Sequence, residues 1–193
     1  MINDIDLPGF ADPVAGAQQG FRAILAAISR PGSLHRAGVG LTPPACLDPA
    51  TAAVLLTLTD GETSLWVDPA LAASRGWIAF HCGTTFAGAP DQAGFVLACA
   101  LPDLGAVNAG TDEGPEESAT VIVQVTTLGE GTGYRLSGPG LALPSVFQVR
   151  GLPDGFIEIW QKNHALYPRG VDLVLCAGTQ LAALPRSVRI EEG

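Results

Sequence analysis

Residues 164–178 read HALYPRGVDLVLCAG. Within them, 171–176 is an almost unbroken apolar run rich in Val and Leu. Pro168 and Gly170 interrupt whatever precedes it, and Gly178 ends it. A short apolar run between turn residues fits a strand buried on both faces. Just upstream, Phe156, Ile159, Trp160 and Asn163 recur at helical spacing. Helix, turn and buried strand in that order predict an α/β fold with a central mixed sheet flanked by helices. Asp172 breaks the apolar rule near the start of the run. A carboxylate entering a buried strand needs a partner. Arg169 and Arg186, the second within LPRS at 184–187, are the nearest arginines in sequence. Arg169, Asp172 and Arg186 are therefore the candidates for a structural ion pair.

Working outward, the 193 residues are 47% hydrophobic and only 15% charged. That is enough apolar mass for a sizeable core, and a single domain spanning 1–193 is the expectation. The net charge is −9, and the ten basic residues are scattered. This balance argues against nucleic acid held through its phosphates. Low charge beside high apolar content also points to surface covered by another protein. The start, MINDIDLPGF, lacks the basic and apolar segments of a secretory leader. No run approaches the ~20 apolar residues of a membrane-spanning helix. The four cysteines, Cys46, Cys82, Cys99 and Cys176, are far apart and form no C-x-x-C. A cytoplasmic protein with reduced thiols is expected.

Along the chain, Asp12-Pro13 signals a helix start, followed by Phe21, Ile24, Leu25 and Ile28 at helical spacing. Arg30-Pro31-Gly32 ends that helix. Asp48-Pro49 repeats the start signal, with a buried helix over 52–58 and a turn at Asp60-Gly61. Short strands are expected at 65–67, 77–80 and 95–99, with helix over 69–75. Stretches 87–94 and 102–114 read as loops. Residues 119–128 form a strong β signal, and 134–137 is expected to pair back on it as a hairpin across 130–133. Gly138-Pro139-Gly140 breaks the chain, and Leu152-Pro153-Asp154 opens the helix before the buried strand. Residues 182–184 and 188–190 are expected as edge strands, and 191–193 as a frayed tail.

No residue set forms a self-sufficient catalytic motif. His35, His81 and His164 are isolated, without metal-ligand spacing. Lys162 is the sole lysine and falls in the polar register of its helix, so no pyridoxal Schiff base is expected. Gly131-Thr132-Gly133 fails as a dinucleotide fingerprint because Leu136 stands where the third glycine belongs. Cys82 and Cys176 end apolar runs as structural cysteines do. On a strand, His81 would face away from Cys82. Asp112, Glu113, Glu116 and Glu117 have spacing that could set two carboxylates around magnesium, but such a cluster is more often a solvated loop or the first turn of a short helix, and that is the expectation.

Seven stretches resemble, in order, the motifs of one family. Phe21-Arg22-x-Ile24-Leu25 with Ser29-Arg30-Pro31-Gly32 is similar to F-R-x-L-L…M-x-x-P-G. Residues 50–58 with Asp60 are similar to A-T-x-x-L-L-T-L-x-D, and WIAFHCGT at 77–84 to R-F-H-T-x-A/T. Residues 110–120 resemble G-T-x-x-x-P-E-x-S-A-T, and 136–141 resemble L-x-G-P-G-I. Residues 167–176 resemble F-P-x-G-I-D-x-x-L, and 184–187 resemble L-P-R-T/S. The family is PhnH, a subunit of the carbon–phosphorus lyase core complex of bacterial phosphonate breakdown. Arg30 in its turn and the glycines of 129–133 depart from the pattern.

The resemblance implies a fold like that of pyridoxal-phosphate-dependent aminotransferases, without the cofactor. It implies a non-catalytic subunit working with PhnG, PhnI and PhnJ, and with PhnL in the transfer step. That assembly, an α-D-ribose 1-methylphosphonate 5-triphosphate synthase, displaces adenine from ATP with a phosphonate. The family supplies no catalytic, cofactor or metal residue to carry over. A homodimer is expected for the isolated chain, with no nucleic-acid or membrane partner. Two alternatives stay open: a phosphate or phosphonate carrier using Arg169 and Arg186, and a small stand-alone enzyme using Cys82 or the acidic cluster.

Overall fold

The computed structural model describes residues 4–193. The reading of the extreme N-terminus draws partly on residues 1–3, which lie outside them. The chain forms α1 (Pro13–Ser29), β1 (His35–Arg36), α2 (Pro49–Leu58), β2 (Ser64–Val67), α3 (Arg75–Cys82), β3 (Thr85–Phe86) and β4 (Phe95–Ala98). It continues through β5 (Thr120–Gln124), β6 (Thr127–Ser137), β7 (Ser145–Arg150), α4 (Phe156–His164), β8 (Asp172–Ala177), β9 (Gln180–Leu184) and β10 (Arg189–Glu192). Among the described residues, no helix is long and apolar enough to cross a membrane.

Seven strands make a mixed sheet in the order β1-β9-β8-β5-β4-β2-β3. The run from β8 through β3 is parallel, and β9 is antiparallel to both β8 and β1. The β8 strand lies between β5 and β9 and is covered on both faces, which is why its sequence is apolar without alternation. Alternate residues serve two cores. Val121, Val123, Leu173 and Leu175 face one side, and Ile122, Val174 and Cys176 face the other. The second side is covered by α1, α2 and α3. The first is covered by α4 together with a three-stranded antiparallel sheet, β10-β6-β7.

That small sheet accounts for most departures from the sequence reading. The apolar run over 119–128 is split. β5 ends at Gln124 in the large sheet, and β6 starts at Thr127 in the small one. Residues 134–137 therefore continue β6 instead of pairing back on 119–128. The true hairpin partner is β7, reached through the turn at 138–140. The β9 strand pairs along its length with β8, while β1 flanks only Gln180 and Leu181 and the Gly32 N–H alone bonds to 182–184 from the outer side, at the Ala183 carbonyl. The tail is not frayed over its length, since Glu191 and Glu192 pair with Arg135 and Tyr134.

The expected strand at 77–80 is α3. Its aromatic and β-branched residues mimic a strand, but tertiary bonding needs a helix. Trp77 Nε1 and His81 Nε2 both donate to the Leu7 carbonyl, at 2.9 and 3.0 Å. On a helix, residues four apart lie on one face, so both side chains can reach one acceptor. Gly83, at φ 65°, ends α3 in the left-handed conformation. The preceding segment, Pro69–Ser74, is a 3-10 helix.

The α1 helix starts as its sequence predicts. Asp12 accepts hydrogen bonds from the Val14 and Ala15 amides, each 3.0 Å, and Pro13 opens the first turn. Its inward contacts are unexpected. Gly20, Ile24 and Ala27 are buried, whereas Phe21, Leu25 and Ile28 lie exposed. Gly20 allows α2 to come close, because a Cβ there would overlap Thr57 Oγ1.

Trp160 anchors the opposite core. It is fully buried, and its Nε1 donates to the Val188 carbonyl at 2.8 Å. Trp160→Ala is expected to cost about 3–5 kcal/mol by urea unfolding. Phe21→Ala on the exposed side of α1 should stay within about 0.5 kcal/mol. A loss below about 1 kcal/mol at Trp160 would contradict its place in the core.

Candidate functional site

The densest polar bonding lies where the chain enters β8. Asp172 is the first residue of that strand. Its Oδ1 accepts from the Arg186 backbone N–H at 2.7 Å and from Arg186 Nε at 3.1 Å. Its Oδ2 accepts from Arg186 Nη2 at 2.7 Å. Nη1 of the same guanidinium donates to the Pro115 carbonyl at 2.8 Å and, at 3.4 Å, to that of Pro168. The side chains are only 15% exposed for Arg186 and 27% for Asp172. This is a two-pronged, charge-assisted contact with little solvent to weaken it.

Arg169 has a different partner. Its Nε lies 3.0 Å from Asp112 Oδ1 without hydrogen-bond alignment, and the Asp112 side chain is 79% exposed. Such a pair contributes little to stability. Sequence proximity offered Asp172 two arginines, and the structure joins it to Arg186.

Neighbouring bonds extend the cluster. Buried Asn163 donates to the Val171 carbonyl and accepts from the Val171 N–H, both at 2.9 Å. The Gly170 N–H donates to the Ala109 carbonyl at 2.9 Å. Gly170 has φ 109°, and a Cβ there would press on the Asn163 carbonyl, so the position demands glycine. His164 Nδ1 lies 2.8 Å from the Arg186 carbonyl. A carbonyl only accepts, so Nδ1 carries the proton. The 108–119 loop is bonded to itself as well. Asn108 accepts from the Gly110 N–H and donates to the Glu117 carbonyl, and Thr111 Oγ1 accepts from the Gly114 N–H.

The placement bears on chemistry. Open α/β sheets bind ligands beyond the carboxyl ends of their parallel strands. Asp172 stands at the amino end. At the carboxyl ends of β5 and β8 internal bonds hold the chain: Gln124 accepts from the Asp48 N–H at 2.6 Å and donates to the Cys46 carbonyl at 3.0 Å. The Gly178 carbonyl accepts from the Ala50 N–H at 2.8 Å. Both candidate carrier arginines already face carboxylates.

The other candidates do not converge. Among the described residues, no three His, Cys, Asp or Glu side chains are positioned to hold a metal ion. Asp112 faces Arg169, and Glu113, Glu116 and Glu117 are exposed. Lys162 is exposed on α4. His35 Nε2 is 2.8 Å from Ser33 Oγ. His81 is committed to Leu7, so it does not activate Cys82. Burial pushes the Cys82 thiol up, against a lowering hydrogen bond with Thr59. Burial pushes Cys176 up to about 12. The sequence reading missed Asn163, Gln124 and the Pro115 carbonyl as organisers. A polar residue inside an apolar periodicity was the available signal for Asn163. A backbone carbonyl leaves none.

Comparison with known proteins follows the same segments. The family described as bacterial phosphonate metabolism protein (PhnH) matches residues 8–191. A curated relative, the alpha-D-ribose 1-methylphosphonate 5-triphosphate synthase subunit PhnH of Rhizobium meliloti (strain 1021), is 40% identical over 187 residues, 94% of each chain. The putative C-P lyase subunit protein HtxG of Stutzerimonas stutzeri is 36% identical over 179 residues, covering 90% of this chain and 85% of that one.

Two outcomes are expected of this region and its thiols. Asp172→Ala leaves a mostly buried guanidinium without its counter-charge and should cost about 3 kcal/mol in urea unfolding, with Asp172→Asn costing less. A neutral Asp172→Ala would refute the role given to the pair. Cys99 is the exposed thiol, but partial burial and then the Asp68 carboxylate raise its pKa. A raised pKa means less thiolate at a given pH, so Ellman's reagent at pH 8 should label Cys99 slowly and Cys176 only on unfolding. Asp68→Asn removes the negative charge and should speed labelling of Cys99. An unchanged rate would remove Asp68 as the cause.

Proposed function

The chain belongs to the PhnH family of bacterial phosphonate metabolism proteins, and we propose that it is a non-catalytic subunit of a carbon–phosphorus lyase assembly. In this reading it is required for making ribose 1-methylphosphonate 5-triphosphate from ATP and a phosphonate, with release of adenine. The observation that carries it is the identity to the synthase subunit, 40% across 94% of both chains. The bonding described above supports it. Family-like segments 110–120, 167–176 and 184–187 meet in a cluster whose arginines face carboxylates. A carrier of free phosphonate would need those guanidiniums uncommitted.

The finer parts of the reading follow. The partners are the PhnG, PhnI and PhnJ subunits, the setting is the cytoplasm, and the isolated chain self-associates as a homodimer. Exposed apolar side chains such as Val14, Phe21, Leu25 and Leu143 support a surface covered by protein. A fold like that of pyridoxal-phosphate-dependent aminotransferases is supported by the seven-stranded mixed sheet with one reversed strand, β9. The cofactor is not part of the reading, since exposed Lys162 is the only lysine.

Physical chemistry gives the reason to assign catalysis elsewhere. The reaction must gather ATP, magnesium and a phosphonate anion, which calls for several converging donors. A chain of net charge −9 with one lysine opposes such a cluster of anions. Titration calorimetry of the lone protein with magnesium-ATP and methylphosphonate should show nothing tighter than about millimolar, or ~4 kcal/mol. Leaving the chain out of a reconstituted complex should abolish or cripple adenine release. Full activity without it, or turnover of ATP by it alone, would sink the reading.

A further inference from the structure

We propose that the outward face of α1, with the groove between α1 and α2, is the docking surface for another subunit of the complex, and that this partner offers an apolar ridge edged by carboxylates. The proposal rests on the subunit reading above and names the surface and chemistry that reading lacks. Val14, Phe21, Leu25 and Ile28 are spaced seven, four and three residues apart. On a helix this puts them in one narrow stripe, about 21 Å long at 1.5 Å per residue. They are 71%, 53%, 51% and 38% exposed. The inward contacts of α1 are made by Gly20, Ile24 and Ala27, so the stripe is not needed by the core. Beside it runs a groove of about 500 Å³ lined by Val14, Ala17, Phe21, Arg22 and Thr57. Single exposed hydrophobic residues are ordinary, whereas an aligned row marks an interaction site. An apolar helix face beside a groove suits the anchoring of an amphipathic partner element.

Charge selects the occupant. From residue 13 to residue 47 the chain has no Asp or Glu and three arginines, Arg22, Arg30 and Arg36, although the whole chain carries −9. Arg22 lies on the groove, and Arg30 caps the end of α1. Both are exposed, and neither makes an ion pair among the described residues. A two-fold contact with a second copy, centred on Phe21, would set Arg22 beside its own counterpart, like charge to like, and would leave Arg30 only Asp12, whose Oδ1 already caps α1. A different subunit with an acidic rim answers both the stripe and the charge.

The test uses the full chain and the remaining synthase subunits purified without it. Phe21→Glu, Leu25→Glu and Arg22→Glu alter α1, and Phe80→Glu, on exposed α3 surface, is the control. Circular dichroism and urea midpoints verify folding, which solvent-facing changes should leave intact. The expected result is an affinity about tenfold weaker or worse for each α1 variant and no change for Phe80→Glu. Wild-type binding should weaken with added salt, and Arg22→Glu should flatten that dependence. If wild type binds and the α1 variants bind equally well, the surface is wrong while the subunit reading stands. The surface is equally wrong if Phe80→Glu weakens binding as much. If the α1 variants turn a wild-type dimer into a monomer in light scattering but leave complex binding unchanged, the occupant is a second copy and the proposal falls. If wild type binds none of the subunits, the subunit reading has failed and the proposal with it.

Discussion

The Asp172–Arg186 contact depends on the pairing of β8 with β9, and in turn holds that pairing in register. In the antiparallel ladder Leu173 lies opposite Leu184. That register carries the chain past Leu184 so that Arg186 arrives beside Asp172, where its backbone N–H and guanidinium both meet the carboxylate. A one-residue slip would turn every β9 side chain to the other face and remove the arginine from its partner. An apolar strand covered on both sides has little else to define register, because most of its side chains are interchangeable aliphatics. A partly buried ion pair is a poor source of net stability but a strong source of specificity when its loss strands a charge.

The same guanidinium explains why distant segments fold together. Arg186 reaches the Pro115 carbonyl in the loop before β5 and the Pro168 carbonyl in the connection before β8. Gly170 bonds to Ala109, and Asn163 bonds to both polar backbone groups of Val171. The loops that feed two adjacent parallel strands are therefore tied to each other and to the end of α4. The polar backbone groups of buried Gly170 and Val171 would otherwise lack these partners, at a cost of about 1–3 kcal/mol each. Segments of sequence that resemble family motifs thus owe their composition to bonding and close backbone approach. None of these bonds requires a reacting substrate.

The elements legible in the sequence were those with local signals. Asp12-Pro13 marks α1 through side-chain capping, and the Val-Leu run marks β8 through burial on both faces. Elements defined by long-range partners were less legible. Nothing local to 77–80 says that Trp77 and His81 share the Leu7 carbonyl, and its composition favours a strand. The β7 strand went unread because its inward residues, Phe147 and Val149, are buried against Val121, Val123, Leu173 and Leu175 of the large sheet, which are distant in sequence. For the polar cluster, charge complementarity pointed to Asp172 and the arginines. The choice of Arg186 over Arg169 follows from β-sheet register, which no spacing rule supplies. Arg169 instead meets Asp112, from the acidic group that the sequence reads as a solvated loop or a short-helix turn.

The division of labour between the two sides of the sheet bears on how such a chain can meet a partner. Its polar organisation is turned inward, at the amino ends of the strands. Apolar side chains are left outward on α1, a helix held against α2 and β9 by small inward residues. At Gly20 the helix comes close to α2, where any larger residue would collide with Thr57. A face held in this way is ordered before any partner arrives, so association need not fix it. Rigidity of that kind suits a subunit that maintains the shape of a neighbouring site.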